Sequence, residues 1–151
     1  MANSQSIVTS FKSELLSGIH ALGTTVVRGS TVADALKAAL FLASASLGAG
    51  TTAYSASGEV SGTNYTAGGV TVTNATAPST SGTTAFWTPS ASFSWSTVTL
   101  SVSFDAVLLY NSSQANRAIA VYTFGAQVVT AGNFTITMPT NDASTGLLRL
   151  A

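Results

Sequence analysis

Apolar positions along this chain change their spacing, and each change predicts a different element. Ile7, Phe11, Leu15, Ile19 and Leu22 recur every three or four residues, with Lys12, Ser13, Glu14 and Ser17 off the stripe; this predicts a short amphipathic helix over 7–22. Gly18 weakens that helix and Gly23 is its expected stop. Residues 1–6 read as a flexible lead. The clearest strand is 97–104, where Val98, Leu100, Val102 and Phe104 alternate with Thr97, Thr99, Ser101 and Ser103, giving one buried and one polar face. Asp105 interrupts before 107–110 continues as strand, so a bulge near Asp105 would join both pieces into one bent strand.

Shorter strands are expected at 70–73, 118–124, 126–130, 134–138 and 147–150, with turns at 111–116 and 131–133 and a loop at 139–146. Residues 48–69 are loop-rich and punctuated by Gly58, Gly62, Gly68 and Gly69. Residues 74–96 read as a long extended loop, ordered only if something packs on Phe86, Trp87, Phe93 and Trp95. Residues 34–43 are ambiguous: Ala, Leu and Lys are strong helix formers, yet a short apolar run also fits a buried strand. The pattern as a whole predicts a mainly β chain, an antiparallel β-sandwich or jelly roll with a short N-terminal amphipathic helix. It reads as a single domain, 1–151, whose β-rich body covers 24–151.

Composition changes the picture in one respect. Only 7% of the residues are charged, against roughly 25% in an ordinary soluble domain. The whole ionic inventory is Lys12, Lys37, Arg28, Arg117, Arg149, Glu14, Asp34, Glu59, Asp105 and Asp142, and it sums to zero. Ser, Thr, Ala and Gly stand where charge would, and such a surface suits close packing against neighbours. A hydrophobic fraction of 46% and a mean hydropathy of +0.40 exclude overall disorder. There is no cysteine, so disulfides and thiolate metal sites are excluded. The first residues do not read as a signal peptide, and the most apolar stretch, 36–43, contains Lys37 and is far shorter than the roughly 20 residues of a membrane-spanning helix. Asn64, Asn74, Asn111 and Asn133 open Asn-X-Ser/Thr triplets, which chance supplies in a chain this rich in Ser and Thr.

The residues offer little chemistry. His20 is the single histidine, on the predicted helix with no nucleophile placed beside it, and reads as a helix-end or interface histidine. The five acids are isolated in sequence, no acid-rich Ca²⁺ loop is present, and Gly68-Gly69 lacks the lysine of a phosphate cradle. Five scattered basic residues make no nucleic-acid patch. Trp87, Trp95, Tyr54, Tyr65, Tyr110 and Tyr122 read as core and interface anchors, with a glycan-binding module as the alternative if they form an exposed platform. No catalytic, cofactor-binding or metal-ligating residue is assigned, and an enzyme is not expected.

Several stretches carry a resemblance. Phe11-Lys-Ser-Glu-Leu-Leu-Ser-Gly-Ile-His20, Asp34-Ala-Leu-Lys-Ala-Ala-Leu-Phe41 and Thr51-Thr-Ala-Tyr-Ser-Ala-Ser-Gly-Glu-Val-Ser-Gly-Thr-Asn-Tyr-Thr-Ala-Gly-Gly69 resemble a family of small virion proteins of tailed bacteriophages. Ala106-Val-Leu-Leu-Tyr-Asn111 and Ala120-Val-Tyr-Thr-Phe-Gly125 fit the same pattern. Asp105, where a small residue is usual, and the Ser/Thr-rich 74–96 region depart from it. The resemblance implies a strand at 34–43 and a structural role in the virion, assembled in the host bacterial cytoplasm. The expected role is a capsid decoration or cement protein, with a connector, tube or fibre-base component of the neck or tail as the alternative. Expected partners are the major capsid protein, other virion proteins and further copies of the chain, with no nucleic acid and no membrane. The helix at 7–22 and the loop at 74–96 are the elements expected at subunit contacts.

Overall fold

A computed structural model describes residues 3–16, 18–20, 22–23 and 33–151, without the side chains of Lys12, Ser13 and Leu16. Arg28, residues 1–2 of the lead and residues 24–32 at the start of the β-rich body lie outside the described residues. In chain order the elements are β1 (Ser6–Ile7), α1 (Thr9–Leu16), β2 (Leu36–Leu42), β3 (Val70–Thr71), β4 (Ser79–Ser81), β5 (Thr84–Trp87), β6 (Phe93–Asn111), β7 (Arg117–Ile136) and β8 (Leu148–Leu150). They form two antiparallel sheets, a five-stranded one ordered β1-β7-β6-β2-β3 and a three-stranded one ordered β4-β5-β8. The chain is thus a mainly β sandwich with a minor N-terminal helix. Its five-plus-three division differs from the two equal sheets of a jelly roll.

The β6–β7 hairpin dominates. The expected turn at 131–133 does not form, and the pieces at 118–124, 126–130 and 134–138 merge into one strand through 136. Bulges account for the interrupted pattern. The register shifts between Trp95 and Val98, where Thr97 has φ 51°, and Ala131 opposite has φ 46°. Side chains take up the displaced backbone groups: Asn133 Oδ1 accepts from Thr97 N, Asn64 Nδ2 donates to Thr97 O, and Thr99 Oγ1 accepts from Ala131 N. A further shift falls at Asp105, as expected, since Phe104 pairs with Leu42 and Ala106 with Phe41. The displaced Asp105 carboxylate accepts a 2.6 Å bond from Asn3 Nδ2. Simple alternation fails at one position. Between Leu100↔Val129 and Phe104↔Gln127 the register shifts again, and Val102, expected on the buried face, is 58% exposed.

Residues 36–42 are strand, in line with the resemblance and against propensity. Leu36, Ala38, Ala39, Leu40 and Phe41 are all buried, because β2 lies inside the sheet between β6 and β3 and both of its faces are covered. Burial here overrides the helical propensity of Ala, Leu and Lys.

The helix is shorter than 7–22. Ile7 joins β1 opposite Ala120, and α1 stops at Leu16. Gly18, not Gly23, ends it. With Gly18 at φ +65°, Gly18 N bonds Leu15 O and Ile19 N bonds Glu14 O, the paired bonds of a Schellman cap. The 1–6 lead is partly structured: Ser4 N bonds Leu47 O, and Ser6 pairs with Val121. The 74–96 loop is corrected too. Phe86, Trp87, Phe93 and Trp95 are all buried, which is the condition set for its order, and the segment forms β4, β5 and the first residues of β6.

The core is one contiguous cluster running from Val8 and Phe11 through β2 to the inner faces of β6 and β7 and on to Trp87 and Leu148. The close approach of residues 68–70 to β2 needs glycine. Gly69 has φ +72°, and a Cβ there would lie 1.9 Å from the Ala38 carbonyl oxygen. Gly69→Ala is therefore expected to lower unfolding stability by at least about 3 kcal/mol, from backbone strain plus overpacking. Gly50→Ala, with nothing within 4 Å of the new methyl, should stay within about 0.5 kcal/mol of the parent. Urea denaturation of both variants checks the contrast.

Candidate functional site

The few ionisable groups, isolated in sequence, gather in space. Asn111 ends β6 fully buried, and β2 brings Asp34 beside it through the Leu36↔Asn111 pairing. Asn111 Nδ2 donates to Asp34 Oδ2 at 2.8 Å and to His20 Nδ1 at 3.0 Å, while Asn111 Oδ1 accepts from Ser113 N. An amide NH₂ only donates, so Nδ1 of His20 is the acceptor and Nε2 carries the hydrogen given to Glu14 Oε2 at 2.7 Å. Arg117 Nη1 donates to Glu14 Oε1, and Gln114 Nε2 donates to Asp34 Oδ1 at 3.1 Å. Phe11 meets the His20 ring edge-on with centroids 4.8 Å apart. Burial pushes the Glu14 carboxyl up, but the hydrogen bonds from His20 and Arg117 outweigh it and hold the group below its ordinary value.

This network ties the helix cap to the turn end of the hairpin. Both ring nitrogens of His20 and both oxygens of Glu14 are engaged within the protein, so the arrangement presents no free base to a substrate. Among the described residues no group of three or more His, Asp or Glu is placed to hold a metal ion.

A second network centres on Glu59. Its carboxylate accepts from Tyr54 Oη at 2.6 Å, Tyr65 Oη at 2.8 Å and Gly68 N at 2.8 Å. Tyr65 Oη also accepts from Leu40 N, and Tyr110 Oη donates to Gly68 O. Tyr54 and Tyr110 stack with centroids 4.7 Å apart and planes 12° apart. These bonds pin the glycine-rich 48–69 stretch onto β2 and β6. Burial first, then the Glu59 carboxylate, raises the hydroxyls of Tyr54, Tyr65 and Tyr110, with Tyr110 pushed up to about 12; burial alone raises Tyr122.

Asp142 accepts from Ser144 N and Thr145 N within its own turn, so each of the five acids is an acceptor for internal donors. Amides act likewise at the four Asn-X-Ser/Thr positions: Asn64 and Asn133 hold the Thr97 bulge, Asn74 accepts from Gly23 N, and Asn111 is buried. Trp87 and Trp95 are 2% and 4% exposed, so neither offers a ring face for stacking on a sugar.

An apolar cleft of about 590 Å³ lies between α1 and the small sheet, lined by Phe11, Leu15, Leu22, Pro78, Phe86 and Trp87 among others. Among the described residues His20 is its single titratable lining residue, already bonded at both nitrogens. Among the described residues no helix is long and apolar enough to cross a membrane. The remaining feature is the distal half of the hairpin, residues 93–104 and 124–136, which carries no Asp, Glu, Lys or Arg. No protein-family model matches the chain, and no curated protein and no solved structure matches it.

Two outcomes follow from these networks. Glu14→Gln should lower stability at pH 7 by about 1.5–3 kcal/mol, the range for hydrogen bonds to a charged group. Because the folded carboxyl titrates below its ordinary value, this contribution exists above about pH 4.5 and fades as pH falls through the folded value. The parent should therefore lose stability in acid more steeply than the variant, as thermal melts across pH 3–7 would record. All four tyrosines have raised hydroxyls. At about pH 10.5 the folded protein should then show little tyrosinate absorbance, whereas exposed tyrosines would be more than half ionised. Stability contributed by the hydroxyls is present below about pH 10 and is lost as pH rises through the folded values.

Proposed function

We propose that this chain is a non-enzymatic structural protein of a tailed-phage virion, acting as a capsid decoration protein on the major capsid shell. The observation that carries the reading is the distribution of charge. The acids are used inside the molecule as hydrogen-bond acceptors, and the distal half of the β6–β7 hairpin presents a long surface of hydroxyls, amides and valine with no charge. A free protein ordinarily keeps charge on such a ribbon to block association through strands. A component that spends its working life against neighbours has no such need. The resemblance of residues 11–20, 34–41, 51–69, 106–111 and 120–125 to small virion proteins supports the same reading.

In this role each copy adds buried area across junctions in the shell, and repetition turns a modest contact into high avidity. Its partners are the major capsid protein and further copies of itself, and its location is the virion. Reconstruction of the particle tests the proposal. Many copies distributed over the head are expected. A few copies at the neck or tail would reassign the chain to a connector or tube, and absence from the particle would reject a virion role altogether.

A further inference from the structure

We propose that the uncharged arm of the hairpin is a self-association surface, and that its occupant is the same arm of a second copy of this chain. The inference deepens the assembly reading above, on which its biological use rests, by naming the partner of one surface.

The arm begins where β2 ends. β2 pairs with β6 only from Asn111 back to Phe104, so residues 93–103 have β7 as their only partner strand among the described residues, apart from one bridge between Thr99 and Thr63. One face is closed by Phe93, Trp95, Val98, Leu100 and Phe104, with Phe134 against Trp95 and Phe104. The other is open, and Ser101, Val102, Ser103, Gln127, Val128 and Thr130 are exposed along this stretch of the arm. Val102 and Val128 are 58% and 57% exposed and lie at the same level, bracketed by the Leu100↔Val129 and Phe104↔Gln127 pairs. Alternation from Leu100 to Phe104 would bury Val102. The intervening bulge turns it out, which is how bulges re-aim side chains.

Three properties point to a second copy as the occupant. In a two-fold contact both copies present the same surface, and groups near the axis meet their own copies, so a charge there would face a like charge. From residue 93 to 104 and from 124 to 136 there is no charge to repel. Hydroxyl and carboxamide side chains both donate and accept, so they can pair with identical groups, which carboxylates and ammonium groups cannot do. The size also fits. At ~3.4 Å per residue and ~4.8 Å per strand, a two-stranded face of about eleven residues covers roughly 360 Å², and two in contact bury about 700 Å². That is smaller than a standard specific interface and corresponds to a weak, reversible contact.

Sedimentation velocity on the purified full chain, with no particle present, tests the surface. The parent should associate reversibly below about 200 µM, as expected for a contact of this size. Val102→Glu and Val128→Glu should each weaken association at least tenfold by placing like charges in apposition, with melting temperature little changed because both positions are exposed. Leu150→Glu, at 46% exposure outside the arm, should associate like the parent. Mixing the Val102→Glu/Val128→Glu double variant with Val102→Lys/Val128→Lys should restore association between unlike copies. A parent that stays monomeric, or arm variants that associate like the parent, would overturn the proposal. Either result would leave the virion reading to the reconstruction, which fails only if the protein is absent from the particle.

Discussion

The hydrogen-bonded ladder between β6 and β7 is the constraint the five-stranded sheet obeys, because β1 and β2 find their places on its two edges and β3 follows on β2. β2 lies along the inner half of β6, and β1 adds to β7 opposite Val121 and Ala120. The 48–69 stretch is stitched to the turn end, where Ala118 N bonds Thr52 O and Tyr54 N bonds Asn116 O. Farther out, Thr99 N bonds Thr63 O. A hairpin this long would twist out of register if its bulges were unsupported. Asn64, Asn133 and Thr99 supply the support with uncharged side chains.

Polar anchoring therefore follows a division of labour. Carboxylates sit where several donors converge: phenols and an amide on Glu59, an imidazole and a guanidinium on Glu14, amides on Asp34. Such bonds are shorter and stronger than neutral ones. Where one backbone group needs a partner, an asparagine or threonine suffices. This leaves the outer hairpin face without ionic character while the loops beneath it remain fixed.

Period-two alternation made the inner face of 97–104 and the bulge at Asp105 legible, because both are local properties of a strand. Val102 was misplaced because a register shift depends on the partner strand, which alternation within one strand cannot see. Helix 7–22 was overextended for a related reason: Ile7 fits the stripe, but an open β7 edge competes for it. Gly18 was readable as a cap, since a glycine after a stripe is a stop signal, but Gly23 matched the same rule. The 74–96 segment is uniform in Ser and Thr, so its order rests on the burial of four aromatic rings by distant elements. The network around His20 and Asn111 was invisible in sequence. His20 lies 91 residues from Asn111 and Glu14 lies 103 from Arg117, and no spacing rule connects them.

Those separations set the order in which the molecule is completed. The partners of His20, Glu14, Ile7 and Ser6, at Asn111, Arg117, Ala120 and Val121, are made more than ninety residues after them. The hairpin, whose strands are joined by a short turn, closes a small loop and can form early; the N-terminal segment must close a loop spanning most of the chain. This segment, made before its partners, thus docks after the hairpin has closed. Until it does, the flank of β7 that receives it stands open in the nascent chain, and translation rate as well as sequence governs how long that interval lasts.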